Sequence, residues 1–137
     1  MRNRDIEIKG DERKLFRYYT YLMASFKPLS EIRKQERDVL AELMLSNYRI
    51  SKGFKNREDP NKWKLIFSYE NKKEIEDVLN ISEATMANCL TSLRKNGFIE
   101  NNQLRKVFRI YPDDDGYSLT FKLRIEDVAG GGAEDNK

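Results

Sequence analysis

The sequence predicts an α+β fold in which two helices around a tight turn are followed by β-structure, with a further helix added in front. Three observations predict it. Residues 71–95 carry two helical apolar stripes separated by Asn80-Ile81-Ser82. Residues 98–126 change to an apolar period of two, the repeat of a half-buried strand. Residues 12–26 hold a third helical stripe, which Pro28 brings to an end because proline lacks the N–H a continuing helix needs.

In the central stretch, Asn71 suits a helix N-cap, and Glu74, three residues on, forms a box-like start. Ile75, Val78 and Leu79 then share a face. Ser82 is placed to cap the next helix by accepting from its free N–H groups. In that helix Met86, Cys89, Leu90 and Leu93 recur at i, i+3, i+4 and i+7, one buried stripe. Arg94 and Lys95 fall at the negative helix end, and Gly97 sits where a left-handed residue closes the helix.

This spacing suits a helix-turn-helix whose second helix enters a DNA groove. The run NISEATMANCLTSLRKNGFIE resembles the second half of a winged-helix domain, as in MarR-type regulators and winged-helix plasmid replication initiators. The following VFRIYPD is similar to the aromatic-x-Ile-x-Pro ending of the wing in those initiators, and the resemblance covers roughly residues 30–112. It implies a winged helix-turn-helix with an added N-terminal helix and a C-terminal β-hairpin, and DNA as the partner. Winged helices also serve as protein-docking modules.

Residues 1–11 read as a charged flexible arm, or a small edge strand around Ile6 and Ile8. The domain spans 12–127. Its first helix, 12–26, places Leu15, Tyr19, Leu22, Met23 and Phe26 on one face with Phe16 beside it, and leaves Tyr18 and Tyr21 off the stripe. Residues 31–48 form the next helix through Ile32, Val39, Leu40, Leu43, Met44 and Tyr48. Residues 49–64 form a polar insertion with six cations against two anions, interleaved with Phe54 and Trp63. Such a loop suits phosphate or base contact; the alternative is a solvated loop pinned to the core by Trp63. Leu65 to Tyr69 is a short apolar run with strand character. Asn101-Asn102-Gln103 is a turn, after which Leu104, Phe108 and Ile110 alternate with Arg105, Val107 and Arg109. Tyr117, Leu119, Phe121, Leu123 and Ile125 alternate with polar residues over the clearest strand of the chain. From Val128 to the end, the glycine-rich stretch is expected to be disordered.

Composition narrows the function. The 137 residues carry 26 Lys and Arg against 23 Asp and Glu, a net charge of +3, too mild to argue for nucleic acid by itself. No apolar run is long enough to span a bilayer, and MRNRDIEIKGDERK lacks the hydrophobic core of a secretory signal, so a cytoplasmic setting is expected. There is no histidine and one cysteine, which removes the commonest general base and nearly excludes a zinc site. Cys89 lies on an apolar stripe and reads as core. Asp113-Asp114-Asp115-Gly116 lacks the alternating ligands and distal glutamate of a calcium loop and reads as a turn. An enzyme, a cofactor, a metal and a small-molecule substrate are therefore not expected.

The candidate DNA-contacting residues fall in three groups. Thr85, Asn88, Thr91, Ser92, Arg94 and Lys95 lie on the second helix; Asn88 suits bidentate pairing with adenine. Glu83 at its front opposes phosphate. Arg105, Lys106 and Arg109 belong to the wing, and Lys52, Lys55 and Arg57 to the basic insertion. The expected function is double-stranded DNA binding, as a transcriptional regulator or replication-initiation factor. The alternative is a non-catalytic docking or structural module of a viral or replication assembly. A homodimer is expected to use residues 12–26 or the strand 117–126, whose free edge can accept a partner strand.

Overall fold

The computed structural model describes residues 5–113 and 116–126. The parts of the expected arm at 1–4 and of the tail at 128–137, with Asp114 and Asp115, lie outside the described residues. Five helices and one hairpin follow in order: α1 (Glu12–Met23), α2 (Lys34–Ser51), α3 (Lys62–Ile66), α4 (Tyr69–Leu79), α5 (Glu83–Lys95), β1 (Ile99–Glu100) and β2 (Gln103–Leu104). The coarse expectation of a helix-rich α+β chain with an antiparallel hairpin after the second helix of the pair is met.

The longest helix, α2, is the axis of the core, and α1, α3, α4 and α5 all pack on it. Val39, Leu40, Leu43 and Met44 are fully buried, at 0% exposure. Each such side chain is worth about 1.5–3 kcal/mol over the same group left in water. The helix begins at Lys34 rather than at 31, because the backbone N–H of Arg33 donates to Glu36 Oε1 at 2.9 Å and closes the first turn.

The expected pair of helices around a tight turn is present. Asn80 adopts a left-handed conformation (φ 54°), and the Ile81 N–H returns to the Glu76 carbonyl at 3.0 Å, ending α4. Ser82 accepts from the Thr85 N–H at 3.0 Å and starts α5. Met86, Cys89, Leu90 and Leu93 are buried as one stripe. Gly97 takes φ 81°, the conformation a side chain resists, and the chain then enters β1. Asn101 and Asn102, both left-handed (φ 54° and 57°), make a two-residue turn, one residue tighter than expected. Ile99 pairs with Leu104 and Glu100 with Gln103.

Several expectations are overturned. The apolar run at 65–69 is not a strand. Asp59 Oδ1 accepts from the Asn61 N–H (2.9 Å), and the next N–H groups turn back onto the Asp59 and Pro60 carbonyls, so Leu65 and Ile66 are wound into α3, Phe67 and Ser68 turn, and Tyr69 opens α4. Trp63 and Ile66, three apart, are then buried while Leu65 is exposed. The 49–64 insertion is accordingly not one long loop, since α2 extends to Ser51 and α3 starts at Lys62. Asn71 is not the cap of α4; Ser68 is, accepting from the Asn71 N–H at 3.2 Å. The Asn71 side chain instead donates to the Ile66 carbonyl (2.7 Å) and Ser46 Oγ (3.0 Å), tying α4 to α3 and α2. Val78, placed on the α4 apolar face, is exposed.

Helix α1 is rolled relative to the expected stripe. It buries Phe16, Tyr19 and Thr20, whereas Leu22 and Phe26 remain about half exposed. The roll follows from Glu42 on α2, which is 3% exposed and receives Arg13 Nε at 3.0 Å and an Arg17 guanidinium nitrogen at 3.2 Å. Ile6 and Ile8 form no strand. Beyond β2, a short 3-10 turn at Lys106–Phe108 replaces the expected strand and stacks Phe108 on Phe98 at 5.1 Å. Residues 117–126 also form no strand. Period-two patterning is there, but a strand exists only with a hydrogen-bonded neighbour, and among the described residues their backbone makes no hydrogen bond to another backbone group. The antiparallel hairpin toward the C-terminus is therefore the one at 99–104, and among the described residues 117–126 adds no strand to it.

Candidate nucleic-acid interface

The three expected groups of DNA-contacting residues differ in exposure and in the partners they already hold. On α5, Asn88 and Thr91 are exposed, with Arg94 and Lys95 exposed at the helix end. Asn88, Thr91 and Lys95 fall on one stripe by spacing. Part of this face is engaged locally. Thr91 Oγ1 donates to the Ala87 carbonyl (3.0 Å), Ser92 accepts from the Asn96 amide, and Thr85 is half-buried beside the Ser82 cap. Glu83 pairs with Lys73 at 3.4 Å, so its charge is partly offset.

In the second group, Arg105 and Lys106 are exposed, but Arg109 is not an open cation. Its side chain is 11% exposed; it donates to Glu58 Oε1 (2.7 Å), to the Leu104 carbonyl (2.8 Å) and to Gln103 Oε1 (3.1 Å), and its guanidinium lies 4.9 Å from the Trp63 ring. The third group is scattered. Lys52 pairs with Glu12 of α1 at 3.3 Å and covers the Tyr48 ring, which places it on the α1 side of the molecule. Arg57 lies 4.2 Å from the Tyr111 ring. Lys55 is exposed.

What holds the former insertion in place is a buried lysine. Lys62 is 0% exposed, and its Nζ donates to Ser51 Oγ (3.1 Å), to the Tyr111 hydroxyl (2.8 Å) and to the Arg57 carbonyl, with Glu58 at 3.6 Å. The Tyr111 hydroxyl in turn donates to Glu58. Burial pushes the Lys62 ammonium below the usual lysine range, Glu58 opposes that shift and Arg109 adds to it. Burial pushes the Glu58 carboxyl up, but the hydrogen bonds from Tyr111 and Arg109 outweigh it and hold Glu58 below its ordinary value of 4.5. Glu36 behaves alike: burial raises it, the bonds from Arg33 win, and it too is lowered.

These shifts set an acid limb. A carboxylate whose folded pKa is depressed takes its proton first in the unfolded chain, so its stabilisation is complete above 4.5 and is lost as pH falls through the folded value. The melting temperature is expected to decline below that pH, and Glu58→Gln to decline less steeply than the parent. Parallel melts at pH 7 and across the acid range measure it; identical slopes would exclude Glu58 as a contributor.

One cleft assembles polar and cationic groups from four elements. It encloses about 570 Å³ and is lined by Pro60, Trp63, Lys64 and Phe67 of the α3 region, Lys72 of α4, Arg94 of α5, and Asn101, Asn102 and Gln103 of the hairpin. Lys64, Lys72 and Arg94 bring three positive charges, and no carboxylate lines the cleft. None of the three is ion-paired among the described residues, whereas Arg13, Arg17, Lys34, Arg49 and Lys52 on α1 and α2 are each held by a carboxylate. Trp63 is 5% exposed and forms the floor; Phe67, 6.3 Å from it, is the half-buried ring at the wall. Of these lining residues, the sequence offered Arg94 as a contact on the second helix, and Trp63 and Lys64 only as part of the basic 49–64 insertion. Lys72 was missed because its charge sits on a helix with many acids, Glu70, Glu74, Glu76 and Asp77, and only packing shows which side it takes.

Among the described residues no group of three or more Cys, Asp or Glu is placed to hold a metal, and no helix is long and apolar enough to cross a membrane. Comparison with protein-family models, with curated proteins and with solved structures returns no match.

Proposed function

We propose that the chain binds double-stranded DNA in a winged-helix-like manner, with α5 as the groove-facing helix and the α3–α4–hairpin cleft as the phosphate anchor. The observation that carries this reading is the set of cations Lys64, Lys72 and Arg94, without an ion pair or a lining carboxylate among the described residues, gathered in one cleft at the end of α5. Unneutralised cations beside an exposed helix face are what phosphate contact requires. Exposed Lys95, Arg105 and Lys106 extend the charge beyond it. The hairpin follows α5 in chain order, which supports reading it as a short wing. A transcriptional regulator and a replication-initiation factor both fit this surface. The docking-module reading draws on a different observation, the exposed apolar residues of 117–126.

Fluorescence anisotropy on a mixed-sequence duplex at several salt concentrations tests the proposal. Each neutralised phosphate contributes about −0.9 to the log–log salt slope. Lys72→Ala and Arg94→Ala are each expected to flatten the slope by about one contact, and Lys52→Ala, held by Glu12, to leave it unchanged. Asn88→Ala is expected to weaken a preferred sequence by about 1–3 kcal/mol and to spare random DNA. Absence of binding at low salt removes the DNA reading in favour of docking.

A further inference from the structure

The segment 117–126 is written as a strand but has no strand beside it. Tyr117, Leu119, Phe121, Leu123 and Ile125 occupy one side of the alternation, and Ser118, Thr120, Lys122, Arg124 and Glu126 the other. Its beginning is anchored, with Leu119 packed against the core and the Phe121 ring 5.6 Å from that of Phe26. Its end is not: Leu123 is 97% and Ile125 98% exposed. Leu22, Phe26, Tyr117 and Phe121 are about half exposed as well, so the segment and the Phe26 ring it meets present further apolar surface. Within the described residues nothing matches the segment in length, since β1 and β2 are two residues each. The one stretch with the same length and alternation is the segment itself.

We propose that residues 117–126 pair antiparallel with the same segment of a second copy of this chain, in a two-fold register centred on Phe121. Overlap, side-chain period and charge together select that register, since centres further from the middle of the segment leave more of each strand unpaired. Centring on a bond between residues sets an apolar residue of one strand opposite a polar residue of the other, which breaks the common face. Centring on Lys122 opposes Lys122 to itself, and centring on Leu123 opposes Lys122 to Arg124; like charges directly opposite destabilise a pair. Centring on Phe121 opposes Tyr117 to Ile125 and Leu119 to Leu123 on the apolar face. On the other face it opposes Ser118 to Arg124 and Thr120 to Lys122. No like charges meet, and along the shared edge the backbone groups of alternate residues in each copy are satisfied by the other. The contact is isologous and closes at two copies.

Sedimentation and light scattering on the full chain test this. The mass is expected to rise with concentration from 16.2 kDa to twice that value and no further. The double variant Leu123→Asp with Ile125→Asp is expected to stay at the single mass and to melt where the parent melts at concentrations too low for pairing, because both side chains are solvated in the single chain. For the register, oxidised Phe121→Cys is expected to form a disulfide-linked pair efficiently, since the residue faces its own copy. Leu123→Cys is not expected to do so, because the two cysteines lie four residues apart along the ladder, well beyond the roughly 7 Å that a disulfide bridges. A constant single mass, a double variant that still pairs, growth past two copies, or preferential bridging through Leu123→Cys would each overturn the proposal.

Discussion

Glu42→Ala is expected to lower the unfolding free energy by about 3–5 kcal/mol, the cost of breaking a buried charge pair by removing one partner. Glu42 is the single anion under α1. It faces Arg13, bonded through both carboxylate oxygens at 3.2 and 3.0 Å, and Arg17 at 3.2 Å. Without it, two guanidinium groups converge on the same face of α2 with nothing to neutralise them. The Arg17 Nε is already buried without a hydrogen-bond partner, so that side chain has little capacity to compensate. The damage should concentrate on α1, whose other attachments include Phe16, Tyr19 and Thr20, the partly buried Leu15 and Met23, and the more exposed Glu12 pairs with Arg49 and Lys52. Urea denaturation with far-ultraviolet circular dichroism measures both the loss and any early release of helix. A loss below about 1 kcal/mol, the size of an exposed pair, would mean that apolar packing alone docks α1.

The second large effect is expected at Lys62. Lys62→Ala should cost about 3–5 kcal/mol, because it opens a cavity the size of a long side chain and strips hydrogen bonds from buried acceptors. Lys62→Met restores most of the volume without the ammonium, and its cost should be smaller, about 1–3 kcal/mol. The two variants together separate volume from polarity. Tyr111 and Arg109 still have Glu58 after either change, so the remaining anion is not orphaned. Ser51 Oγ retains Asn47. Denaturant midpoints of both variants decide the matter. Equal losses would assign the whole effect to the polar network, and a more stable Met variant would show that burying the ammonium costs more than its bonds return. Because Lys62 holds the segment between α2 and α3 against the segment carrying Tyr111, both variants should also become more sensitive to proteolysis near Arg57.

The parts of the fold that the sequence by itself determined are those whose causes lie within a few residues. The Ser82 cap, the Met86–Leu93 stripe, Gly97 beyond α5 and the asparagine turn of the hairpin were legible, because capping, helical spacing and left-handed turns are local interactions. The helical character of 12–23 and 34–48 was legible for the same reason, while the last turn of α2, to Ser51, was not. Tertiary structure decided where local signals run out. Leu65 to Phe67 suits a strand or a helix equally as a short apolar run, and the Asp59–Pro60 turn with a buried floor for Trp63 and Ile66 settled it as helix. The roll of α1 depended on Glu42, about 25 to 29 residues away in the chain, whose attraction for Arg13 and Arg17 overrode the apolar stripe. At the candidate interface the sequence counted charges correctly but not their availability. Arg109 is taken up by Glu58, 51 residues distant, while Lys64, Lys72 and Arg94 are left around one cleft without an ion pair among the described residues. A cation's sequence neighbours do not reveal which carboxylate will reach it, since the reach of a side chain is set by the fold. Residues 117–126 show the same limit for a strand. Alternation supplies a face, but a ladder needs a second backbone, and within the described residues of this chain none is offered.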